Sequence, residues 1–388
     1  MPTLPTPSPL SLEHSNKVLA HVRQEIEKAG GYISFARFME IVLYTPGLGY
    51  YSAGNPKLGE LGDFVTAPEI SVLFTKCVAR QCQEILQSMP AQNILEFGAG
   101  SGKFAADLLL ELERVDCLPT SYSILEISAD LRAKQSYLLQ SRCPHLFSRV
   151  SWLDCLPDPG FQGIIFANEV LDAMPSHCFQ IDKHTSKERY VSLVDDRLSW
   201  LSAPSTSPEL TRRVTEINEM ATLPHGYESE VNLIIPAWIS AVADIFQQGV
   251  MLLFDYGYGR REYYHAERDH GTLMCYYQHH RHSDPFFLPG LQDITTSVDF
   301  TCVAEAADAG GLQIAGYTTQ ASFLLACGII ELANDPALTH LEQYQQNQAI
   351  KMLTLPAQMG ELIKVIALTK NYDEPLIGFS LFDRRKDL

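Results

Sequence analysis

Apolar and polar positions follow two different periods along this 388-residue chain. Near the N-terminus, Val18, Val22 and Ile26 recur at every fourth position, which predicts a helix with one buried face. Gly30 follows that pattern and is expected to end the helix. Ser34 then precedes a second apolar segment, where its side chain can cap a second helix.

From residue 93 onwards, short apolar runs alternate with helical stretches, and several of the runs end in an acidic residue. Such runs predict buried parallel strands in a doubly wound α/β sheet. Ligands of these sheets bind at the carboxyl ends of the strands, so the residues just after each run are the candidates for chemistry. The runs read NILEFGAG, SYSILEIS, RVSWLD, GIIFANEV and VMLLFDYG.

Two segments interrupt this alternation and divide the chain into parts. Residues 176–245 contain alternating stretches typical of a β-hairpin insertion, and residues 259–299 form an irregular insertion rich in His, Tyr and Pro. We therefore expect a disordered proline-rich tail over 1–10 and an N-terminal helical cap with an active-site loop over 11–90. A mostly parallel α/β domain that carries both insertions would occupy 91–388.

Charge and cysteine content narrow the function classes. A net charge of −17 argues against non-specific nucleic-acid binding and against binding to anionic membrane surfaces. Nine scattered cysteines without a CxxC motif favour a reducing compartment. No apolar stretch approaches the roughly 20 residues of a membrane-spanning helix, and the N-terminus lacks the pattern of a signal peptide. We expect a cytoplasmic protein with no nucleic-acid partner and no membrane insertion.

Histidines are concentrated in one segment. Residues 265–282 hold five of the twelve histidines, but they contain no HExxH motif. We expect a solvated or substrate-facing loop there and no metal site.

A glycine-rich turn follows the first predicted strand. Glu96, Gly98, Gly100 and Gly102 have the spacing ExGxGxG, and glycines at such a turn let a ligand approach the backbone. Lys103 stands where a dinucleotide fingerprint needs glycine, and the P-loop pattern is also broken. The remaining pattern is the one that S-adenosylmethionine-dependent methyltransferases use. A ligand-free turn between strand and helix is the alternative.

Polar side chains follow the next three strands. Glu126 ends the second and can accept hydrogen bonds from ribose hydroxyls, or it is simply an acid at a helix N-terminus. Asp154 ends the third and can accept from an adenine amino group, or it belongs to a surface turn. Asn168 and Glu169 follow the fourth, where Glu169 would lie beside a methyl donor. If a helical turn forms there, Glu169 and Asp172 share one side of it. Capping of that turn is the alternative.

The glycine-rich loop before residue 66 ends in two further acidic candidates. Thr66 and Glu69 have the spacing of a capping box, which is the structural alternative for Glu69. Asp63 lies outside that box and can contact a ligand.

The chain resembles the MidA-like family of class I S-adenosylmethionine-dependent methyltransferases. The resemblance covers most of the chain and rests on blocks that include GDFVTAPEIS, FANEVLDAMP, FDYGYGRREYY and MGELIKV. Many relatives have ELGPGRG where this chain has EFGAGSG. Mitochondrial members act as protein arginine methyltransferases in the assembly of respiratory NADH dehydrogenase. The resemblance implies that 62–71 lines the active site and helps to close over the cofactor, which favours Asp63 and Glu69.

The resemblance implies a methyltransferase that uses S-adenosyl-L-methionine and acts on an arginine side chain of a protein. An acidic cleft would suit such a cationic target. The candidate catalytic carboxylates are Glu169, Asp172, Asp63 and Glu69. The candidate cofactor-binding residues are Glu96, Gly98, Gly100, Gly102, Glu126, Asp154 and Asn168. Two alternatives stay open, namely a small-molecule methyltransferase and a non-catalytic assembly factor that binds the same cofactor. The oligomeric state is also open, with a dimer as one option.

Overall fold

The computed structural model of the protein describes residues 4–53, 65–183, 185–334 and 336–388. Its helices are α1 Pro9–Lys28, α2 Phe35–Tyr44, α3 Ala67–Ile70, α4 Val72–Ser88, α5 Lys103–Arg114, α6 Ala129–Arg142, α7 Pro208–Ala221, α8 Ile234–Ile245, α9 Arg260–Tyr263, α10 Phe300–Ala309, α11 Gln320–Ala326, α12 Ile329–Leu332, α13 His340–Thr354 and α14 Met359–Leu362. Its strands are β1 Tyr32–Ser34, β2 Asn93–Phe97, β3 Ser121–Leu125, β4 Val150–Leu153, β5 Phe161–Asn168, β6 His177–Asp182, β7 Thr185–Val194, β8 Arg197–Ala203, β9 Glu228–Val231, β10 Phe246–Tyr258, β11 Met274–Tyr277, β12 His280–His282, β13 Asp293–Thr295, β14 Val298–Asp299, β15 Gln313–Thr319 and β16 Ile363–Lys370.

The chain folds into two compact units, each assembled from separate stretches of sequence. The sheet unit comprises Val65–Val170, Pro236–Gly257 and Phe300–Leu388. The described part of the accessory unit comprises 4–53, Leu171–Ile235 and Tyr258–Asp299, with 184 outside the description. Both predicted insertions thus contribute to the same unit as the first two helices.

The sheet unit is built on one large sheet with the strand order β15-β16-β10-β5-β2-β3-β4. The strands from β10 to β4 are mutually parallel, whereas β16 runs antiparallel to both β10 and β15. This arrangement confirms the predicted doubly wound, mostly parallel sheet, and each of the five apolar runs forms a strand. The strand order reverses between β2 and β5, which is the point where such sheets bind ligands.

Aromatic side chains fill the space between the sheet and its helices. Phe104 of α5 stacks on Phe166 of β5 with ring centroids 4.3 Å apart. Phe254 of β10 meets Phe74 of α4 edge to face at 5.4 Å. All four side chains are buried, and burying a phenylalanine contributes about 1.5–3 kcal/mol to stability. This core fixes the carboxyl ends of β5 and β10 relative to α5.

The accessory unit combines two antiparallel sheets with helices α1 and α2. One sheet has the order β1-β7-β6-β9 with β8 paired to β7, and the other has the order β12-β11-β13. The predicted buried face of α1 is confirmed by Val18, Val22 and Ile26, and Ser34 caps α2 by accepting a hydrogen bond from the Arg37 amide at 3.1 Å.

Two segments are more regular than the sequence predicts. Helix α1 begins at Pro9, inside the predicted disordered tail, because Ser8 caps it and proline at the first helical position has a pre-set φ. The second insertion, predicted to be irregular, contains strands β11 to β13. Cys275 and Tyr277 are the buried positions of β11, so its alternation is hidden among the surrounding histidines and tyrosines.

Candidate active site

The turn after β2 bends the backbone into the left-handed region three times. Gly98, Gly100 and Gly102 have φ values of 62°, 54° and 84°. A side chain at Gly98 would come within 3.0 Å of Val170 Cγ2, which is just past the end of β5. Gly102 is also the N-cap of α5 and has no side chain to satisfy the first amides of that helix. The turn therefore presents backbone groups at the carboxyl edge of the sheet, as ExGxGxG predicts.

A glutamine connects this turn to the next two strands. Gln135 of α6 is fully buried, and its Nε2 donates to Gly100 O at 3.0 Å and to Glu126 Oε2 at 3.1 Å. Its Oε1 accepts from Trp152 Nε1 at 2.8 Å. The other oxygen of the buried Glu126 carboxylate accepts from the Ser128 amide at 2.9 Å. Gln135 thus fixes the Glu126 side chain in place.

The sequence reasoning missed Gln135, although a signal for it exists. Gln135 lies four residues after Leu131 and four residues before Leu139, and these three are the buried residues of α6. A polar residue on an apolar helix face needs a hydrogen-bond partner when the helix is packed.

An arginine of the same helix joins the ends of β3 and β4. Arg132 donates through Nε to Glu126 O at 2.6 Å and through Nη1 to Asp154 Oδ1 at 2.6 Å. Its Nη2 donates to Leu153 O. The Asp154 side chain is 88% exposed, so this ion pair lies at the surface. Contact between Asp154 and an adenine amino group stays a prediction.

Glu96 lies inside β2 and is buried. Tyr122 donates its hydroxyl to Glu96 Oε2 at 2.7 Å. Burial raises the pKa of Glu96 to about 8, against the effect of the Tyr122 hydrogen bond and together with the charge of Glu126. Glu96 is therefore mostly protonated at neutral pH, and its assignment to the cofactor stays a prediction.

The turn after β5 is left-handed at a residue that is not glycine. Glu169 has a φ of 53°, and its amide donates to Phe254 O at 2.8 Å. Asn168 Nδ2 donates to Glu169 Oε1 at 3.0 Å, and the Val170 amide donates to Asp255 Oδ2 at 3.1 Å. A left-handed conformation costs a residue with a Cβ roughly 1–2 kcal/mol, and such strain concentrates at functional sites.

The predicted helical turn shared by Glu169 and Asp172 does not form in the described chain between 168 and 175. The left-handed φ of Glu169 is incompatible with a right-handed helical turn. Asp172 belongs to the accessory unit, where it is buried and its carbonyl accepts from the Thr296 amide at 2.9 Å. Asn168 does not act as a helix cap, because its Oδ1, the atom that would accept a capping amide, has no hydrogen-bond donor among the described residues.

Glu69 contacts the glycine turn instead of completing a capping box. Ser101 Oγ donates to Glu69 Oε1 at 2.5 Å and accepts from the Lys103 amide at 3.1 Å. Thr66 is the N-cap of α3, but its side chain makes no capping hydrogen bond. The remaining acidic candidate, Asp63, lies outside the described residues.

The described residues contain no group of three or more His, Cys, Asp and Glu side chains arranged to hold a metal ion. In the histidine-rich segment, His265 and His270 are exposed. Of the helices that the structure describes, none is both long enough and apolar enough to cross a membrane.

The edge of the sheet unit fits an adenosine cofactor with a charged tail. The glycine turn brings backbone close to a ligand, and the buried Glu126 carboxylate, which follows β3, is the kind of acceptor that ribose hydroxyls need. Asn168 Oδ1 is buried and has no hydrogen-bond donor among the described residues. A buried acceptor without a donor is costly, so a ligand that donates an N–H group would stabilise this edge.

Comparisons with known proteins agree with this geometry. Residues 77–318 match the model of a family described as "Putative S-adenosyl-L-methionine-dependent methyltransferase". A protein from Burkholderia thailandensis, solved as a crystal structure bound to S-adenosyl-homocysteine, is 40% identical with a TM-score of 0.95, and the match covers 100% of both chains. The rat protein "Protein arginine methyltransferase NDUFAF7, mitochondrial" is 28% identical over 396 residues, which are 93% of this chain and 86% of the relative.

The corresponding human protein is 26% identical over 391 residues, which cover 90% of this chain and 83% of the relative. The family match confirms the predicted fold class, enzyme class and cofactor. The chain belongs to this family of S-adenosyl-L-methionine-dependent methyltransferases.

Proposed function

We propose that the protein methylates an arginine side chain of a partner protein. The turn after β5 carries the proposal, because it holds the carboxylate of Glu169 and the unpartnered acceptor Asn168 Oδ1 side by side. A guanidinium presents several N–H donors in one plane, which suits two adjacent acceptors. The rat and human relatives are named protein arginine methyltransferases, which supports the same substrate class.

Methylation of a guanidinium requires that the attacking nitrogen is oriented and that its proton is accepted. S-adenosylmethionine supplies an electrophilic methyl group when it is bound, and loss of that methyl breaks its S–CH3 bond and leaves the neutral thioether S-adenosyl-homocysteine. A guanidinium has a pKa above about 12 and therefore arrives protonated. Glu169 accepts an ionic hydrogen bond from it, orients the attacking nitrogen and takes up its proton at a carboxylate oxygen as the new N–C bond forms and the S–CH3 bond breaks. Asn168 accepts a second N–H and limits rotation of the guanidinium.

The other acidic candidates take supporting parts in this proposal. Glu69 accepts a hydrogen bond from Ser101 of the glycine turn. Its carboxylate lies in the same unit as Glu169 and adds to the negative charge there. Asp172 and Asp63 remain candidates for substrate recognition. The net charge of −17 favours a cationic partner.

Labelled transfer from S-adenosylmethionine tests the substrate class. Purified protein is incubated with methyl-labelled cofactor and with a lysate from host cells in which the gene for this protein has been deleted. Mass spectrometry then locates the label. We expect label on an arginine of one protein, and we expect the Glu169→Gln variant to leave that protein unlabelled. Glu111→Gln serves as the control, because Glu111 is a buried carboxylate of the same unit that pairs with Arg114 of its own helix.

Other outcomes favour the alternatives. Label that appears only on a metabolite supports a small-molecule methyltransferase. Label on a different side chain contradicts arginine and keeps the protein substrate. Cofactor binding without any labelled product supports the assembly factor that binds S-adenosylmethionine without turning it over.

We also propose the cytoplasm as the compartment of this chain. All nine cysteines are free thiols in the structure, and thiols persist in reducing compartments. The rat and human relatives are named as mitochondrial, so fractionation of the host with an antibody against this chain is the direct check.

A further inference from the structure

Two consecutive residues of β10 hold the backbone of the turn after β5. Phe254 accepts the Glu169 amide through its carbonyl at 2.8 Å. Asp255 accepts the next amide, that of Val170, through its Oδ2 at 3.1 Å. Both contacts lie within the sheet unit, where β10 runs parallel to β5 with Phe254 paired to Asn168.

The second oxygen of Asp255 is occupied as well. Its Oδ1 accepts from the Tyr256 amide at 2.8 Å, and the residue is fully buried. The carboxylate thus bridges two backbone amides, one in β10 and one in the turn after β5. Hydrogen bonds to an ionised acceptor are roughly twice as strong as those between neutral groups, so this bridge resists movement of the turn.

A buried lysine stands opposite Asp255. In the antiparallel pair of β10 with β16, Asp255 is directly across from Lys364. Side chains at such positions are neighbours on one face of the sheet. Lys364 is buried and its Nζ donates to Glu361 O. A cation at this position offsets part of the cost of burying the Asp255 carboxylate.

The turn needs this support because it is strained. Glu169 has a φ of 53°, and a residue with a Cβ persists in that region only when the surrounding structure holds it there. Without the acceptor for Val170, the turn can relax toward right-handed backbone and carry the Glu169 carboxylate away.

We propose that Asp255 is a positioning residue for methyl transfer, which holds the left-handed turn that aims the Glu169 carboxylate at the substrate. The inference rests on the proposed role of Glu169. It assigns Asp255 no contact with the cofactor or with the methyl acceptor.

A double-mutant cycle on the full chain tests the inference. The variants are Asp255→Asn, Glu169→Gln and the double variant, and the readouts are single-turnover methyl transfer to the labelled partner protein and affinity for S-adenosyl-homocysteine. Asparagine has one acceptor oxygen, so either the Val170 or the Tyr256 amide loses its partner. We expect Asp255→Asn to slow transfer roughly 10- to 100-fold, the effect of a displacement near 1 Å, with kcat lowered and KM for the partner protein little changed.

The decisive result is the behaviour of the double variant. If Asp255 acts through Glu169, adding Asp255→Asn to Glu169→Gln should cost less than about threefold in rate, because coupled residues are not additive. Fully additive losses would overturn the inference, as would a wild-type rate for Asp255→Asn. A wild-type rate for Glu169→Gln would instead overturn the proposed role of Glu169.

A second variant keeps the test independent of folding. Lys364→Gln leaves both hydrogen bonds of Asp255 in place and removes the cation opposite it, together with the hydrogen bond from Nζ to Glu361 O. We expect a smaller rate loss, again absent in the Glu169→Gln background, and cofactor affinity close to wild type. If the loss of rate follows the loss of thermal stability equally closely in Asp255→Asn, Lys364→Gln and Glu111→Gln, Asp255 is only a stabilising residue. That result would contradict the inference.

Discussion

Two neighbouring turns of the sheet unit both begin with a residue in the left-handed backbone conformation, but the residue differs. After β2 the first left-handed residue is Gly98, with a φ of 62°, and after β5 it is Glu169, with a φ of 53°. The strands are parallel neighbours, and a Cβ on Gly98 would lie 3.0 Å from Val170 Cγ2. Glycine adopts this conformation without steric cost, whereas glutamate does so at roughly 1–2 kcal/mol.

The difference between glycine and glutamate indicates whether a turn presents backbone or a side chain to a ligand. Where the backbone itself approaches the cofactor, any side chain would be in the way, and glycine is the residue that fits. Where a carboxylate has to be delivered, the side chain is required and the strain must be balanced by contacts. The Glu169 turn has those contacts in Phe254 O and the Asp255 carboxylate, which lie on the adjacent strand.

The largest expected effect comes from removing the charge that the strained turn delivers. Glu169→Gln keeps the size of the side chain but cannot accept the proton of a guanidinium. Losses of this kind are typically 10²–10⁴-fold in rate. Single-turnover transfer should fall by that amount, while affinity for S-adenosyl-homocysteine should stay near wild type. A variant that melts early and yet transfers methyl at the wild-type rate would make Glu169 only a turn residue.

The glycine turn should respond in the opposite way. Gly100→Val places a branched side chain at a φ of 54°, with strain of about 1–3 kcal/mol. If the free turn relaxes to relieve that strain, cofactor binding weakens by roughly 5- to 150-fold. Gly311→Val is the matched control, because Gly311 has a φ of 73° with open space around its Cβ position. Calorimetry should show weak binding for the first variant and normal binding for the second. Equal affinities would remove Gly100 from the cofactor site.

The sequence predicts the strands and the glycine turn because their signals are local. The run ILEFGAG contains a buried strand and its positive-φ residues within a few positions, and the other parallel strands are bounded in the same way. Contacts between distant segments leave no such trace. Asp255 is 85 residues from Val170, and Glu69 is 32 residues from Ser101.

Local reasoning also favoured the wrong partner where two were available. The capping-box spacing predicted that Glu69 would turn back to the amide of Thr66, whereas tertiary packing brings Ser101 within reach of its carboxylate. The helical turn that would place Glu169 and Asp172 on one side does not form in the described residues, because the backbone contacts from β10 hold Glu169 in the left-handed region. Both differences concern the turns that follow β2 and β5, which is also where the candidate site lies.

Each turn has a buried carboxyl group nearby, and the one at the glycine turn should titrate. Burial raises the pKa of Glu96 from 4.5 to about 8. Between these values the folded state keeps a proton that the unfolded state has lost, so stability falls as pH rises through this window. We expect the free energy of unfolding to drop by about 2 kcal/mol between pH 6 and pH 8, because one proton contributes at most about 1.4 kcal/mol per pH unit, or about 2.7 kcal/mol over this range.

Glu96→Gln removes that titration and keeps an acceptor for the Tyr122 hydroxyl. Its stability, followed by urea unfolding at several pH values, should be nearly flat across the same range. A pH slope as steep as that of the wild type would assign the titration to another group.

The smallest effect is a stability difference between two inactive variants of the strained turn. Glu169→Gly relieves a left-handed conformation worth roughly 1–2 kcal/mol, but it raises the entropy of the unfolded chain by about 0.4–1 kcal/mol relative to alanine. The glycine variant should therefore be more stable than Glu169→Ala by about 0.5–1 kcal/mol. Urea unfolding of both proteins measures the difference.

Two pairs of control variants decide whether strain is the cause. Asp196 has a φ of 60° in the turn between β7 and β8, so glycine should again be more stable than alanine there. Lys134 lies within the right-handed helix α6, where the order should reverse, because glycine costs about 0.8–1 kcal/mol against alanine in a helix. If the glycine variant is less stable than the alanine variant at position 169, as expected at Lys134 and not at Asp196, the turn after β5 relaxes when its side chain is removed. Its left-handed backbone would then depend on the glutamate side chain and its bond to Asn168, and the contacts from Phe254 and Asp255 would not be sufficient to hold it.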